Sequence, residues 1–301
     1  MSRRARWSHL MHLAALGPLS IALLTSCESR ADAPPPSLEV ETSAEARAAT
    51  LVNARGERMS PEEMREIDTF GGNEVSTTTR YPGVVSLING ARHACGGTLI
   101  ARRWVLTAAH CPQITAALFN CLDLADQSQC ERRSVGTVRE HPGASVPGLA
   151  DDIALLPLTS DAPAGAVPYP LIADATEDQQ INSVTLVGWG LNEDQNLKLH
   201  ELTSSRVDSQ TCAQHFQGTL VTFDAEENLC SATTPTRRAC RGDSGGPALA
   251  FSGGETRLAG VISFACDPTR ADRHMRVVPY RSWIQCVMTK SDSQWTTQCP
   301  V

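Results

Sequence analysis

Residues 240–247 read Cys-Arg-Gly-Asp-Ser-Gly-Gly-Pro, a short turn in which a serine stands between glycines. Glycine permits a tight turn that exposes the Ser244 hydroxyl and lets backbone N–H groups converge beside it, as an acyl-transfer nucleophile requires. Pro247 prevents a helix from continuing there, and Cys240 can anchor the turn through a disulfide. The same residue types are common in ordinary turns, so the rest of the chain decides between the two interpretations.

Two further stretches place acid–base groups at the ends of apolar strands. Residues 104–111 read Trp-Val-Leu-Thr-Ala-Ala-His-Cys, so His110 follows a strand and stands beside a cysteine that can hold it. Histidine titrates near neutral pH and can take a proton from a hydroxyl and later return it to a leaving group. Asp152 directly precedes another apolar strand, where a buried carboxylate can orient an imidazole. A surface histidine and a turn aspartate are the alternative interpretations.

The sequence after residue 69 has the pattern of an all-β domain. Aromatic residues make up only 5% of the 301, so we expect a mostly aliphatic core. Short apolar runs are separated by Gly, Pro, Asn and Asp, which predicts many strands and a barrel or sandwich. Strands are predicted at 84–87, 97–100, 104–107, 184–187 and 258–263, and only 280–288 is helical in pattern.

Three blocks, at residues 107–111, 152–156 and 242–247, resemble the signature blocks of trypsin-like (chymotrypsin-fold) serine proteases, in the family order His, Asp, Ser. Supporting matches stand at 81–82, 94–100, 188–190 and 280–284. The resemblance implies two six-stranded antiparallel β-barrels with the active site between them and a C-terminal helix. It places a protease domain at residues 69–301.

The resemblance also implies a mechanism that uses no metal or cofactor. Ser244 would attack a peptide carbonyl of a protein or peptide substrate, His110 would act as general base and then acid, and Asp152 would fix the imidazole tautomer. Backbone N–H groups of Gly242 and Ser244 would form the oxyanion hole. The implied function is a serine endopeptidase.

The N-terminus predicts export. Three arginines precede the apolar run 13–24, so residues 1–26 read as a signal peptide, and the run is too short to span a bilayer comfortably. Residues 24–27 read Leu-Thr-Ser-Cys and resemble the bacterial lipoprotein cleavage box, which would lipidate Cys27. The alternative is a conventional signal peptide that leaves Cys27 as a lone thiol. We expect a lipid-anchored protein of the bacterial cell envelope, or an extracellular one.

Residues 27–68 contain Ala-Pro-Pro-Pro at 33–36 and a polar tract, a composition that cannot bury a core, so they are predicted to be a flexible tether or pro-segment. The net charge is −7, and without the signal region 23 basic residues stand against 33 acidic ones. No basic run appears, which argues against a nucleic-acid partner and against electrostatic docking on anionic lipid. A lipid at the N-terminus is therefore the expected membrane contact.

Eleven cysteines are present, and setting Cys27 aside leaves an even ten. An even set in an exported chain indicates up to five disulfides, and no Cys-x-x-Cys spacing suggests a metal site. The resemblance implies the pairs Cys95–Cys111, Cys212–Cys230 and Cys240–Cys266. The pairs Cys121–Cys130 and Cys286–Cys299 follow from parity alone.

The activation segment departs from the family. Family members usually free an Ile-Val-Gly-Gly terminus whose ammonium pairs with the aspartate before the nucleophile, here Asp243. This chain reads Thr-Phe-Gly-Gly from Thr69, with Asp68 before it and Arg65 as the nearest upstream basic residue. Another protease cuts after Asp68, or Asp243 is satisfied differently, for example by local N–H groups, or the protein never matures.

The specificity pocket departs as well. The position six before the nucleophile, where aspartate selects Lys or Arg, holds Arg238, followed by Ala239; across the pocket a position usually occupied by glycine holds Asp272. Arg238 favours an acidic substrate residue, unless Asp272 neutralises it and leaves a small site. Ser263 begins a pocket segment shorter than the family's. We expect non-tryptic specificity.

Two rival functions remain. The Gly-x-Ser-x-Gly pattern at 242–246 also fits the nucleophile elbow of an α/β-hydrolase, but only 57 residues follow Ser244 and His274 is the sole histidine among them. A catalytically silent, protease-like binding or scaffold protein at the cell surface would explain the altered terminus and pocket. The complete set His110, Asp152 and Ser244 opposes that alternative.

Overall fold

The apolar runs form strands in the computed structural model, which describes residues 72–111, 113–190 and 197–299. In chain order the strands are β1 (Asn73–Glu74), β2 (Val84–Asn89), β3 (Arg92–Ala101), β4 (Trp104–Thr107), β5 (Ala116–Phe119), β6 (Glu131–Ser134), β7 (Arg139–Glu140), β8 (Ala154–Pro157), β9 (Ser183–Gly188), β10 (His200–Val207), β11 (Asn228–Ser231), β12 (Pro247–Ser252), β13 (Glu255–Phe264) and β14 (Asp272–Arg276). All five predicted strands lie within β2, β3, β4, β9 and β13. The predicted segments 1–26 and 27–68, with Cys27 and Thr69, lie outside the described residues.

The C-terminal half of the domain forms a closed antiparallel barrel. Its six strands run in the order β10-β11-β14-β13-β12-β9, and pairing of β9 with β10 closes the ring. Strand β1 adds to the outside of β10. Gly253 and Gly254, at φ 61° and 84°, form the two-residue loop between β12 and β13, where positive φ at both positions matches the twist of the hairpin.

The N-terminal half forms an open sheet, or half-barrel, in the order β6-β5-β2-β3-β4-β8-β7. An isolated bridge between Val135 and Leu158 links the chain after β6 to the end of β8. The predicted all-β fold of two antiparallel barrel-like sheets is therefore confirmed, with one barrel closed and the other half-formed.

The main apolar core draws on both sheets. Ile88 and Leu106 come from the half-barrel, and Leu186 and Leu249 come from the barrel; each is at most 4% exposed. Burying one such side chain contributes roughly 1.5–3 kcal/mol, so this shared core holds the sheets together. Its aliphatic character matches the low aromatic content.

Four short α-helices and one 3-10 turn (Gln127–Gln129) complete the described fold; the α-helices are α1 (Ala175–Gln179), α2 (Ser209–Phe216), α3 (Arg281–Thr289) and α4 (Trp295–Gln298). The predicted C-terminal helix is confirmed as α3, which buries Trp283, Ile284 and Val287. Sequence periodicity missed α1 and α2 because they are short; they begin at aspartate caps, Asp174 and Asp208. No helix in the described ranges is long and apolar enough to cross a membrane.

All five predicted disulfides are present. They are Cys95–Cys111, Cys121–Cys130, Cys212–Cys230, Cys240–Cys266 and Cys286–Cys299. The first joins β3 to the segment that carries His110, and the fourth joins the turn before Ser244 to the chain after β13. These cross-links indicate an oxidising, extracellular-type compartment.

Candidate active site

His110 follows β4 and is held by Asp152 through two contacts. The His110 backbone N–H donates to Asp152 Oδ1 over 2.8 Å, and Nδ1 lies 2.7 Å from Oδ2. A carboxylate can only accept hydrogen bonds, so Nδ1 carries the proton. The neutral ring therefore keeps an unprotonated Nε2 that can serve as a base.

Asp152 lies just before β8 and is 1% exposed. Its Oδ2 also accepts a hydrogen bond from Ser263 Oγ at 2.5 Å. Burial alone would raise the pKa of Asp152, but the hydrogen bonds from His110 and Ser263 outweigh it and hold that pKa below its ordinary value. The carboxylate is thus an anion at neutral pH.

The Ser244 turn is seated against the half-barrel by backbone contacts. The Gly96 N–H donates to the Ser244 carbonyl over 2.8 Å. At Gly245, φ is 78° and a Cβ would lie 2.1 Å from Thr107 Oγ1 and 2.6 Å from the Gly96 oxygen. Thr107 ends β4, the strand that leads into His110. The end of β4 therefore supports both the Ser244 turn and His110.

Ser244 Oγ makes no hydrogen bond to His110 within the described part of the chain. Such bonds are often long in unliganded enzymes and tighten when substrate binds. The structure thus brings His110 and Asp152 into direct contact. It places the Ser244 carbonyl 3.9 Å from Sγ of Cys111, the residue after His110.

The backbone N–H groups of the turn differ in whether they find an acceptor within the protein. Those of Asp243 and Gly245 donate to the carbonyls of Cys240 and Ile262 at 3.0 and 2.7 Å. Those of Gly242 and Ser244 make no hydrogen bond among the described residues. Gly242 has φ 101°, a conformation that favours glycine. Both N–H groups can therefore donate hydrogen bonds to an oxyanion.

His93 orients this part of the turn, and sequence reasoning did not single out this residue. Its Nε2 lies 2.9 Å from the Gly242 carbonyl and its Nδ1 lies 2.8 Å from Ser86 Oγ. Burial lowers the pKa of His93 despite the bond to Gly242, so the ring is neutral, with Nε2 donating and Nδ1 accepting. Its position two residues before Cys95 was the available signal.

Asp243 is satisfied by local N–H groups, one of the alternatives left open above. Its Oδ1 accepts from Gly190 N at 2.8 Å and its Oδ2 from Cys240 N at 2.9 Å. Burial raises the pKa of Asp243 to about 6, because these two bonds offset only part of the desolvation of the charge. A carboxylate has further acceptor capacity, so an ammonium can still pair with it.

Three of the predicted pocket residues, Asp272, Ala239 and Arg238, lie close to one another. Asp272 and Ala239 are buried together, and Asp272 Oδ2 accepts from the Ala239 N–H at 2.7 Å. Burial raises the pKa of Asp272 to about 8, although the Arg238 charge opposes this shift. Arg238 Nη1 lies 3.4 Å from the Thr234 carbonyl.

The hydroxyl of Ser263 makes a contact that was not predicted, and the prediction that this residue serves the pocket stays a prediction. Register slips between Ile262 and Phe264, so Ser263 is at a β-bulge, which re-aims its side chain. The residue is 3% exposed, and its hydroxyl donates to Asp152.

Comparison with known proteins identifies the family. The Trypsin family model matches residues 69–284. This chain belongs to the trypsin family of serine proteases, and it is a serine-type endopeptidase.

Several curated relatives align over most of the protease. Granzyme M of Homo sapiens is 33% identical, with 74% of this chain and 90% of the relative covered. Serine protease SP24D of Anopheles gambiae is 29% identical over 73% of this chain and 81% of the relative. Kallikrein-7 of Homo sapiens is 26% identical over 70% and 83%. The family match at 69–284 contains every candidate catalytic residue.

Gly245→Ala tests the seating of the Ser244 turn. The new Cβ would meet Thr107 Oγ1 and the Gly96 oxygen, so we expect the turn to shift and the rate of labelling by a fluorophosphonate to fall by about 10²-fold. Gly254→Ala is the matched control, since Gly254 has φ 84° and a Cβ added there would have nothing within 4 Å. It should cost stability through the same backbone strain and leave labelling unchanged. Equal labelling of both variants would contradict the role of this contact.

Proposed function

We propose that this protease hydrolyses peptide bonds with Ser244 as nucleophile, His110 as general base and acid, and Asp152 as the orienting carboxylate. The observation that carries the proposal is the double contact of Asp152 with His110, at 2.8 and 2.7 Å, at the end of the strand that supports the Ser244 turn. The contact fixes one tautomer and one ring orientation.

The reaction follows from this arrangement in two halves. As Ser244 Oγ attacks the carbonyl carbon, its proton passes to His110 Nε2, and the N–H groups of Gly242 and Ser244 bind the oxyanion. His110 then gives the proton to the leaving amine, which leaves an acyl ester on Ser244. Water repeats the sequence, with His110 as base, and releases the acid product.

Substitution of the three residues tests the assignment. Ser244→Ala and His110→Ala should abolish casein hydrolysis, and Asp152→Asn should lower kcat by about 10⁴-fold because the amide favours the wrong tautomer. Circular dichroism should show that all three variants remain folded. Asp151→Asn is the matched control, because the neighbouring Asp151 contacts His141 and Tyr280 instead.

Near-normal turnover by Asp152→Asn, or by Ser244→Ala, would contradict the proposal. Complete inactivity of the matured wild-type protein would favour the silent, protease-like alternative. Loss of activity by Asp151→Asn alone would move the carboxylate role to that residue.

We also propose non-tryptic specificity with a preference for acidic residues. Arg238 lies near Asp272 and Ala239 at the predicted pocket, and two exposed arginines, Arg92 and Arg241, line a cavity of about 380 Å³ beside Gly242. Cationic side chains around the scissile bond disfavour lysine and arginine in a substrate and favour carboxylates.

Cleavage of a peptide library tests this specificity. We expect few cuts after Lys or Arg, and we expect Arg238→Gln to reduce cutting after Asp and Glu. Arg237→Gln is the control, since the Arg237 guanidinium instead contacts the Thr203 carbonyl. A strong preference for Lys or Arg would contradict the specificity proposal without affecting the assignment of Ser244.

Export, lipid anchoring and maturation are further parts of the proposal. Residues 24–27 support lipidation of Cys27 in a bacterial envelope, and the disulfides support an oxidising compartment. Gly72 lines the same small cavity as Asp243. Three extended residues span about 10 Å at most, so the chain is long enough for a terminus created at Thr69 to reach that cavity. Its ammonium would stabilise ionised Asp243 and lower the pKa of that carboxyl.

Mass spectrometry of the native N-terminus tests these steps. We expect a diacylated Cys27 in the membrane fraction and a species beginning at Thr69 once the protease is active. Cys27→Ser should shift the protein to the soluble fraction. An unmodified thiol at Cys27 would contradict the anchor, and full activity without any cut near Thr69 would contradict the maturation step.

A further inference from the structure

Strand β14 reads Asp-Arg-His-Met-Arg, and all five residues are buried. Arg273 is 0% exposed. Burying a guanidinium costs several kcal/mol unless its charge and donors are satisfied. Arg276, on the same strand, pairs with the buried Asp178, whereas Arg273 forms no ion pair with a carboxylate in the described part of the chain. The cation is thus held by neutral acceptors.

Four hydrogen bonds hold the Arg273 guanidinium. Nη1 donates to the Thr222 carbonyl at 2.8 Å and to Asn228 Oδ1 at 3.3 Å. Nη2 donates to the Leu149 carbonyl at 2.9 Å and to Ser263 Oγ at 2.8 Å. Leu149 is three residues before Asp152, so the Arg273 guanidinium supports the segment that carries the Asp152 carboxylate. The same guanidinium also holds the Ser263 hydroxyl, which contacts that carboxylate.

The hydrogen bond from Arg273 to Ser263 fixes the direction of the hydrogen bond between Ser263 and Asp152. A guanidinium can only donate, so Ser263 Oγ must accept from Arg273. The single hydroxyl proton is then directed to Asp152 Oδ2, 2.5 Å away. Without Arg273, the hydroxyl would be free to rotate away, and Asp152 would lose a donor.

The Thr222 bond extends the brace to a second loop. The Thr222 N–H and Oγ1 both donate to the Gly148 carbonyl, at 2.8 and 3.0 Å. Loops 143–151 and 218–224 are therefore joined to each other and to Arg273. Movement of either loop is therefore coupled, through Arg273, to Ser263, the residue that contacts Asp152.

We propose that Arg273 is a positioning residue for peptide hydrolysis, which acts by fixing the Ser263 hydroxyl as a donor to Asp152 and by placing a buried positive charge behind that carboxylate. This inference rests on the proposed roles of Asp152 and His110. A positive charge behind Asp152 weakens the field of the carboxylate at the imidazole, so the imidazolium form of His110 is less favoured than it would be with an uncompensated aspartate.

Other titratable groups face Arg273 and enter the pH dependence. Asp152 lies beyond Ser263, Glu227 precedes β11, and Tyr280 precedes α3. Burial raises the pKa of Glu227 and of Tyr280, and burial lowers the pKa of the adjacent His274 to about 3. His274 is therefore neutral above about pH 5, and Tyr280 is neutral up to the alkaline end. Glu227 is the group that needs its own control.

The experiment is the pH dependence of fluorophosphonate labelling between about pH 5 and 9. Arg273→Met removes the charge and the donors at similar volume; we expect the plateau rate to fall by about 10-fold or more and the acidic limb to move about one unit to higher pH. Arg273→Lys keeps the charge without the planar fork, so its rate should fall while its acidic limb stays in place.

Arg276→Met and Glu227→Gln are the controls. Arg276→Met also removes a buried arginine from β14 but leaves Ser263 untouched, and Glu227→Gln removes the other nearby carboxyl. Both should keep the wild-type acidic limb. If Arg273→Met does not fold, the pair Arg273→Lys and Ser263→Ala decides: since Arg273 acts through Ser263, the double variant should label no more slowly than Ser263→Ala alone.

A wild-type acidic limb and plateau in Arg273→Met, or full additivity of Arg273→Lys with Ser263→Ala, would overturn the inference while leaving the Ser244 assignment intact. Failure of the matured wild-type protein to label at all would instead overturn the proposed function.

Discussion

The buried carboxylate of Asp152 is the constraint on which the site depends. An unpaired charge at this depth would be costly, so protein donors must surround it. His110 supplies two of them from the half-barrel, and Ser263 supplies a third from the closed barrel. The carboxylate therefore ties the two sheets together at the point where the chemistry is proposed to occur. The hydrogen bonds that stabilise the Asp152 carboxylate also orient the imidazole of His110.

A second constraint is the close backbone contact between the sheets. Gly245 fits under Thr107 and Gly96 only because it lacks a side chain, and its positive φ turns the chain back at once. This seating leaves the N–H groups of Gly242 and Ser244 without acceptors among the described residues, while those of Asp243 and Gly245 are bonded. The turn is thus supported by bonds that do not use the two N–H groups proposed to bind the oxyanion, so those groups are preorganised.

Much of the fold and the candidate catalytic set could be predicted from sequence because both are encoded locally. The strand runs have period and turn signals of their own, and His110, Asp152 and Ser244 each stand in a short distinctive block. The disulfide pairs followed from the resemblance and from parity. The short helices α1 and α2 escaped because five to eight residues carry too little periodicity. The half-open state of the first barrel depends on strand ends that no local pattern marks.

The supporting residues could not be predicted in the same way. Ser263 was predicted only as a pocket residue, and its hydrogen bond to Asp152, made from a β-bulge, was not predicted. Arg273 stands in a charged pentapeptide that reads like a surface strand, and only the fold shows that it is fully buried. His93 gave a weak signal beside Cys95. The role assigned to each of these three side chains depends on a contact with a residue distant in sequence, which a local sequence pattern does not reveal.

The most direct test of this account is peptide mapping by mass spectrometry after the matured protein reacts with a fluorophosphonate. The account predicts one covalent phosphonate, carried by the peptide that contains Ser244, with loss of the adduct when Asp152 is replaced by asparagine. An adduct on a different serine, or an equal yield with and without the Asp152 carboxylate, would contradict it.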